Sequence, residues 1–342
     1  MTTHMRREID EVPQAAARFL AGSRDAIAAA GAALREKDPA FLVTIARGSS
    51  DHAALFLKYA VELTAGRPVA SLGPSLASIY GAKLALGGGA AIAVSQSGKS
   101  PDIVAMAQSA TESGAVTIAL TNTLASPIAE HSTHALDIMA GPELAVAATK
   151  SFVNSIVAGL AVLGAWTQDA ALIRAVEALP DHFGKAVVLD WGQLAEDLEA
   201  TGAGSLYVLG RGPALAIANE AALKFKETSG MHAEAFSSAE VLHGPVALVG
   251  RDFPVIALAA RDAAEASVSE IAEGIADKGT HVFLTSEKVG SARPLPFVAT
   301  GHPVTDALAL ILPFYGFVEA WARRRGLDPD APESLKKVTE TR

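Results

Sequence analysis

Residues 41–50, FLVTIARGSS, have a counterpart at 205–214, SLYVLGRGPA: an apolar run leading into Ala/Gly-Arg-Gly. GAVTIALTN at 114–122 is matched by GTHVFLTSE at 279–287, at the same separation of about 165 residues. One such match is chance; two at one offset indicate a duplicated domain. The chain is thereby restricted to folds that can be built twice from one pattern of strands and helices. At roughly 100–200 residues per domain, a length of 342 leaves room for both copies.

Within the first copy, the apolar runs 41–46, 68–72, 90–94, 115–120 and 135–139 alternate with longer helical patterns. Strands apolar on both faces and separated by helices predict βαβ units with a parallel sheet covered on both sides. The first ~35 residues read as a helical arm outside the repeat. Residues 171–200, charged and periodic without a strand signal, read as a helical connection. The expected organisation is arm 1–35, first domain 36–170, connection 171–200 and second domain 201–342.

Composition excludes several classes of function. A formal charge of −9 argues against a nucleic-acid partner, and Arg323-Arg324-Arg325, the one basic run, fits a solvated helix face. With no cysteine there are no disulfides, thiolate metal sites or cysteine nucleophiles. The first residues, MTTHMRREIDEVP, lack a secretory apolar core, and no stretch approaches the ~20 unbroken apolar residues of a membrane span. A cytoplasmic location and no membrane partner are therefore expected.

In open parallel sheets, ligands bind beyond the carboxyl ends of the strands, at a topological switch point. Two polar loops fall there: Arg47-Gly48-Ser49-Ser50-Asp51 and Ser95-Gln96-Ser97-Gly98-Lys99-Ser100. Glycine lets the backbone approach an anion, and the helix that follows offers free N–H groups. Helix capping uses the same residue types. Five serines (Ser49, Ser50, Ser95, Ser97 and Ser100) at two strand ends favour a phosphate monoester. Neither GxxxxGK[ST] nor GxGxxG occurs.

In the second copy, Glu220, Lys224 and Glu227 share one helical face at i, i+4 and i+7. Such a stripe is either a solvated run of salt bridges or, given its apolar surroundings, the polar wall of a cleft. In the second case a carboxylate serves as general base beside an ammonium. His243 precedes Gly244-Pro245, a turn that would present the imidazole or simply pack it. His131 and His134 have metal-like spacing without a partnering carboxylate motif, so no metal is expected.

Taken together, SQSGKS, ELAVAATKSF (143–152), EAALKFKETSGMHAEAF (220–236) and EVLHGP (240–245) resemble the tandem sugar isomerase (SIS) domains of glucosamine-6-phosphate synthase. The resemblance runs from about residue 6, including REIDEVP, to the C-terminal PESLKKVT. It implies an α/β fold of two tandem doubly wound, flavodoxin-like parallel-sheet domains, and a hexose 6-phosphate ligand. By this likeness Ser49, Ser50, Ser95, Gln96, Ser97, Ser100, Val146 and Ala148 bind the phosphate and sugar. Glu227 is the base that moves a proton between carbons 1 and 2, and His243 opens the ring from the other subunit of a homodimer. Lys337 engages the open-chain ketose, with Lys224 and Glu220 in the same pocket.

There are departures too. Ala148 stands where the synthase has serine, Asp51 where it has tyrosine, and Lys99 replaces the Glu of SQSGET. The glutaminase domain with its cysteine has no counterpart, so glutamine is not expected to supply nitrogen within this chain. What remains resembles the stand-alone amino-sugar phosphate deaminases of the superfamily. The expected activity is glucosamine-6-phosphate deamination without a cofactor. The alternatives are galactosamine 6-phosphate as substrate, deglycation of a fructosyl-amino acid 6-phosphate, plain aldose–ketose isomerisation, or a non-catalytic sugar-phosphate sensor.

Overall fold

Burial at every position of β1 (Leu42–Ile45) and β3 (Ala90–Val94) explains why both read as unbroken apolar runs: each is covered on two faces. The structure is a computed structural model describing residues 2–333, Leu335 and Lys337. With β2 (Val69–Leu72), β4 (Val116–Thr121) and β5 (His134–Asp137) these strands form a parallel sheet ordered β2-β1-β3-β4-β5. The five runs marked in the sequence are these five strands, with ends displaced by at most two residues.

The helices before and within this sheet are α1 (His4–Asp10), α2 (Val12–Gly22), α3 (Arg24–Lys37), α4 (Ser49–Ala65), the single turn α5 (Ser75–Ser78), α6 (Pro101–Glu112) and the single turn α7 (Pro127–Glu130). Next comes α8 (Lys150–Thr167), which α2, α3 and α4 surround, so it is apolar nearly all round. Helices α9 (Ala170–Glu177), α10 (Leu179–Ala186) and α11 (Gly192–Thr201) then lead to the second half.

The second sheet holds β6 (Ser205–Gly210), β7 (His232–Ser237), β8 (Val255–Ala257), β9 (Val282–Leu284) and the two-residue β10 (Arg293–Pro294). Its order, β10-β9-β8-β6-β7, is the connectivity of the first sheet read from the other edge, again all parallel. The helices are α12 (Pro213–Ser229), α13 (Glu265–Ala276), α14 (Pro303–Ala309) and α15 (Ile311–Arg324). The duplication extends to backbone detail. Gly48 precedes α4 at φ 57°, ψ −135°, and Gly212 precedes α12 at φ 58°, ψ −137°. Only glycine adopts that conformation readily, which is why glycine recurs immediately before both helices.

Two compact units follow from the packing. The first comprises Glu11–Glu143 and Lys150–Ala178 with Lys337; the second comprises the residues up to Asp10, Leu144–Thr149 and Leu179–Leu335. The segment read as an N-terminal arm is thus helical but divided, α1 in the second unit and α2 and α3 in the first. The connecting helices divide as well, α9 in the first unit and α10 and α11 in the second.

In the second unit Phe225 of α12 stacks edge-on against Phe314 and Phe317 of α15 at 5.4 and 5.9 Å, and Trp191 meets Phe314 at 6.4 Å. Pro303–Arg324 is long and apolar enough to cross a membrane by length and composition, yet 89% of its most apolar window is buried inside the protein. It behaves as a core helix.

Candidate functional site

β1 and β3 are neighbours, so the reversal of strand order falls between them and brings their carboxyl ends side by side. Both serine loops emerge there. Ser49 and Ser50 open α4, and Ser95 leaves β3 buried, its Oγ accepting the Gly98 N–H at 3.2 Å. Ser97 Oγ accepts the Lys99 N–H at 3.4 Å, and the Gln96 carbonyl accepts the Asn122 N–H at 3.1 Å. Ser100 occupies the N-cap of α6, but its hydroxyl makes no capping hydrogen bond. Capping therefore does not explain Ser100.

The bend of this loop needs glycine at one point. Gly98 has φ 63°, and a Cβ there would lie 2.4 Å from Ser126 Oγ and 2.8 Å from Ile128 Cγ2. The two loops are also tied by charge. Arg47 Nε donates to Asp102 Oδ2 at 2.5 Å, and Asp102, in the first turn of α6, is fully buried. Asp51 faces a cleft of about 260 Å³ lined by Arg47, Gly48, Ser71 and Gly73 among others. Burial pushes its carboxyl above the ordinary range, against the opposing pull of His52 and Arg47.

Lys337 belongs to this first unit. Its Nζ lies 3.0 Å from Oε2 of the buried Glu143, which also accepts from Ser151 N–H at 3.0 Å and Ser151 Oγ at 2.6 Å. Val146 and Ala148, half-buried in the irregular stretch before α8, fall in the second unit, where the Val146 N–H donates to the Asp330 carbonyl at 3.0 Å.

The second unit's candidate site residues Glu220, Lys224 and Glu227 lie on α12. This helix starts on Pro213 and ends at Gly230, whose left-handed backbone returns an N–H to the Phe225 carbonyl. Because α15 packs against it, its polar stripe is not solvated. Glu220 and Lys224 are both fully buried, while the Glu227 side chain keeps 22% of its surface. Lys224 Nζ sits 3.0 Å from Glu220 Oε1 and 2.5 Å from Glu227 Oε2. Burial alone would lower the pKa of this lysine; the two carboxylates outweigh it and hold its pKa above the ordinary value. The result is a fixed buried cation between a buried carboxylate and an accessible one.

His243 ends a 3₁₀ turn (Glu240–His243) and is exposed, as is Leu242 at 50%. Gly244 follows at φ 138°, and the Pro245 carbonyl accepts from Tyr207 Oη at 3.2 Å. The structure thus gathers Glu220, Lys224 and Glu227 into one cluster and leaves His243 on a surface turn.

Sequence reasoning missed the Arg47–Asp102 pair, the Glu143 anchor and Tyr315, whose hydroxyl donates to Glu220 at 3.2 Å. Nothing local marks these long-range partners, although an Asp in the first turn after Pro101 was a usable hint. Among the described residues no group of three or more His, Asp or Glu side chains is placed to hold a metal ion.

Comparison with known proteins adds the following. Residues 37–165 and 201–295 match the SIS domain. A glutamine–fructose-6-phosphate aminotransferase (isomerizing) from Symbiobacterium thermophilum is 34% identical over 97% of this chain and 58% of its own length. The chain spans about half the length of the curated relatives it matches. A crystal structure from Silicibacter pomeroyi, described as a phosphosugar isomerase, is 54% identical with a TM-score of 0.93, covering 96% of this chain and all of that one. The C-terminal domain of glucosamine-fructose-6-phosphate aminotransferase from Francisella tularensis is 26% identical with a TM-score of 0.86, covering 97% of this chain and 99% of that one.

Proposed function

The chain belongs to the SIS domain family, and from that premise we propose that it is an enzyme acting on hexose 6-phosphates, specifically a glucosamine-6-phosphate deaminase. The observation that carries this reading is the placement of Lys224, buried and 2.5 Å from the accessible carboxylate of Glu227. A carboxylate held by a fixed ammonium at the edge of a dry core is suited to moving a proton beside a carbonyl.

The serine loops and the amino ends of α4 and α6 bind the phosphate monoester. His243, contributed by a second copy of the chain in a homodimer, opens the pyranose ring. Glu227 then removes the proton from carbon 2 of the open-chain aldehyde, and the electron pair becomes an enolate stabilised by the Lys224 ammonium. Returning the proton to carbon 1, while a proton passes from the carbon 2 amine to the carbon 1 oxygen, leaves a hydroxymethyl group at carbon 1 and an imine at carbon 2. Water adds to that imine and ammonia departs, giving fructose 6-phosphate. Lys337 engages the open-chain ketose. The chemistry needs no organic cofactor, because an aldehyde already acidifies its neighbouring C–H bond.

The test is ammonia release from glucosamine, galactosamine and N-acetylglucosamine 6-phosphates and from fructosyl-amine 6-phosphates. Release from glucosamine 6-phosphate with the highest kcat/KM is expected. Turnover of fructosyl-amines alone would replace the deaminase with a deglycase.

A further inference from the structure

Tyr315 enters the second unit's core from α15 and is fully buried, its ring 6.3 Å from that of Phe314. Packing alone would be met by phenylalanine. A buried hydroxyl must instead recover its lost hydration, and Tyr315 does so on a charged acceptor, donating to Glu220 Oε1 at 3.2 Å. That same oxygen lies 3.0 Å from Lys224 Nζ. One carboxylate oxygen is therefore shared by a phenol and an ammonium, and one ammonium is shared by two carboxylates.

The sharing is unequal. Lys224 lies closer to Glu227, at 2.5 Å, than to Glu220, although Glu220 is wholly buried and Glu227 is not. In a low-dielectric core the buried carboxylate is the stronger competitor for a cation. The phenol offsets part of that advantage by donating into the oxygen that faces Lys224. We propose that Tyr315 is a positioning residue: by donating to Glu220 it leaves Lys224 committed to Glu227, fixing the carboxylate that moves the proton. This rests on Glu227 being the base. Without the hydroxyl, Glu220 draws Lys224 inward and the accessible Glu227 loses its anchor.

Replacing Tyr315 by Phe keeps the ring and removes only the donor. Expected is a fall in kcat of about 5- to 50-fold with KM for glucosamine 6-phosphate unchanged, a fraction of what a whole acid–base group contributes. Incorporating 3-fluorotyrosine at position 315 retains a stronger donor in the same shape and should hold kcat at or above wild type. A Tyr315→Phe enzyme with wild-type kcat, or with its loss confined to KM, overturns the positioning role. Glu227→Gln, assayed alongside, separates the two claims. If that variant keeps its kcat, the base assignment fails; if it is inactive while Tyr315→Phe is unaffected, only the role of Tyr315 fails.

Discussion

Lys224 holds its ammonium 2.5 Å from Glu227 with none of its own side chain exposed, and this one contact joins the stability of the second unit to the chemistry proposed for Glu227. Removing one partner of a buried ion pair leaves an uncompensated charge, typically ~3–5 kcal/mol. Lys224→Met should lower stability by about that amount in urea unfolding, because it strands Glu220. Adding Glu220→Gln should restore much of the loss. A Lys224→Met protein as stable as wild type would mean that the cluster is not maintained in solution.

The phosphate cradle predicts a binding defect without a folding defect. Ser97 lies in the loop at the β1/β3 reversal, and its hydroxyl accepts the Lys99 N–H at a long 3.4 Å. Ser97→Ala should raise KM for the sugar phosphate by roughly 10- to 100-fold, since a hydrogen bond to a charged group contributes ~1.5–3 kcal/mol. An unchanged KM would remove Ser97 from the site.

Asp51 predicts a pH-dependent cost to stability. Burial raises its folded pKa above the ordinary carboxylate value of 3.8, so the folded state binds the proton more tightly than the unfolded chain. Stability is then lost as pH rises from the ordinary value through the folded one. Asp51→Asn should therefore have a higher Tm than wild type at pH 7, with the gap closing toward pH ~4. A gap of opposite sign, or one independent of pH, would contradict the assignment.

These sites were unevenly legible in the sequence. The central strands β1, β3 and β4 could be read because burial on both faces writes itself as apolar runs, and the pair of polar loops because Ser and Gly cluster at two strand ends. β7 went unmarked: HAEAFS alternates polar and apolar residues over only six positions, with His232 and Glu234 exposed. The stripe on α12 was visible, but whether it was solvated was not. That depends on α15, which meets α12 through Phe314 and Tyr315 about 90 residues later in the chain. The tie from Arg47 to Asp102 likewise joins two loops whose proximity exists only once β1 pairs β3.

His243 supplies the prediction about assembly. It stands exposed on a turn shaped by Gly244 and Pro245, beside a half-exposed Leu242, and we propose that it serves the site of a second copy. Mixing inactive Glu227→Gln with inactive His243→Ala chains should then restore about a quarter of wild-type activity, since a mixed two-fold dimer holds one intact site. No recovery, with subunit exchange demonstrated, would place His243 in its own chain's site.

The central claim is that Glu227 carries a proton from carbon 2 to carbon 1. Turnover of glucosamine 6-phosphate in deuterium oxide, with the fructose 6-phosphate product analysed by NMR, tests it most directly. Wild type should place solvent deuterium at carbon 1, and Glu227→Gln should lose that exchange together with ~10²–10⁴-fold in kcat while remaining folded. Deuterium entering carbon 1 at the full wild-type rate in Glu227→Gln would contradict the account.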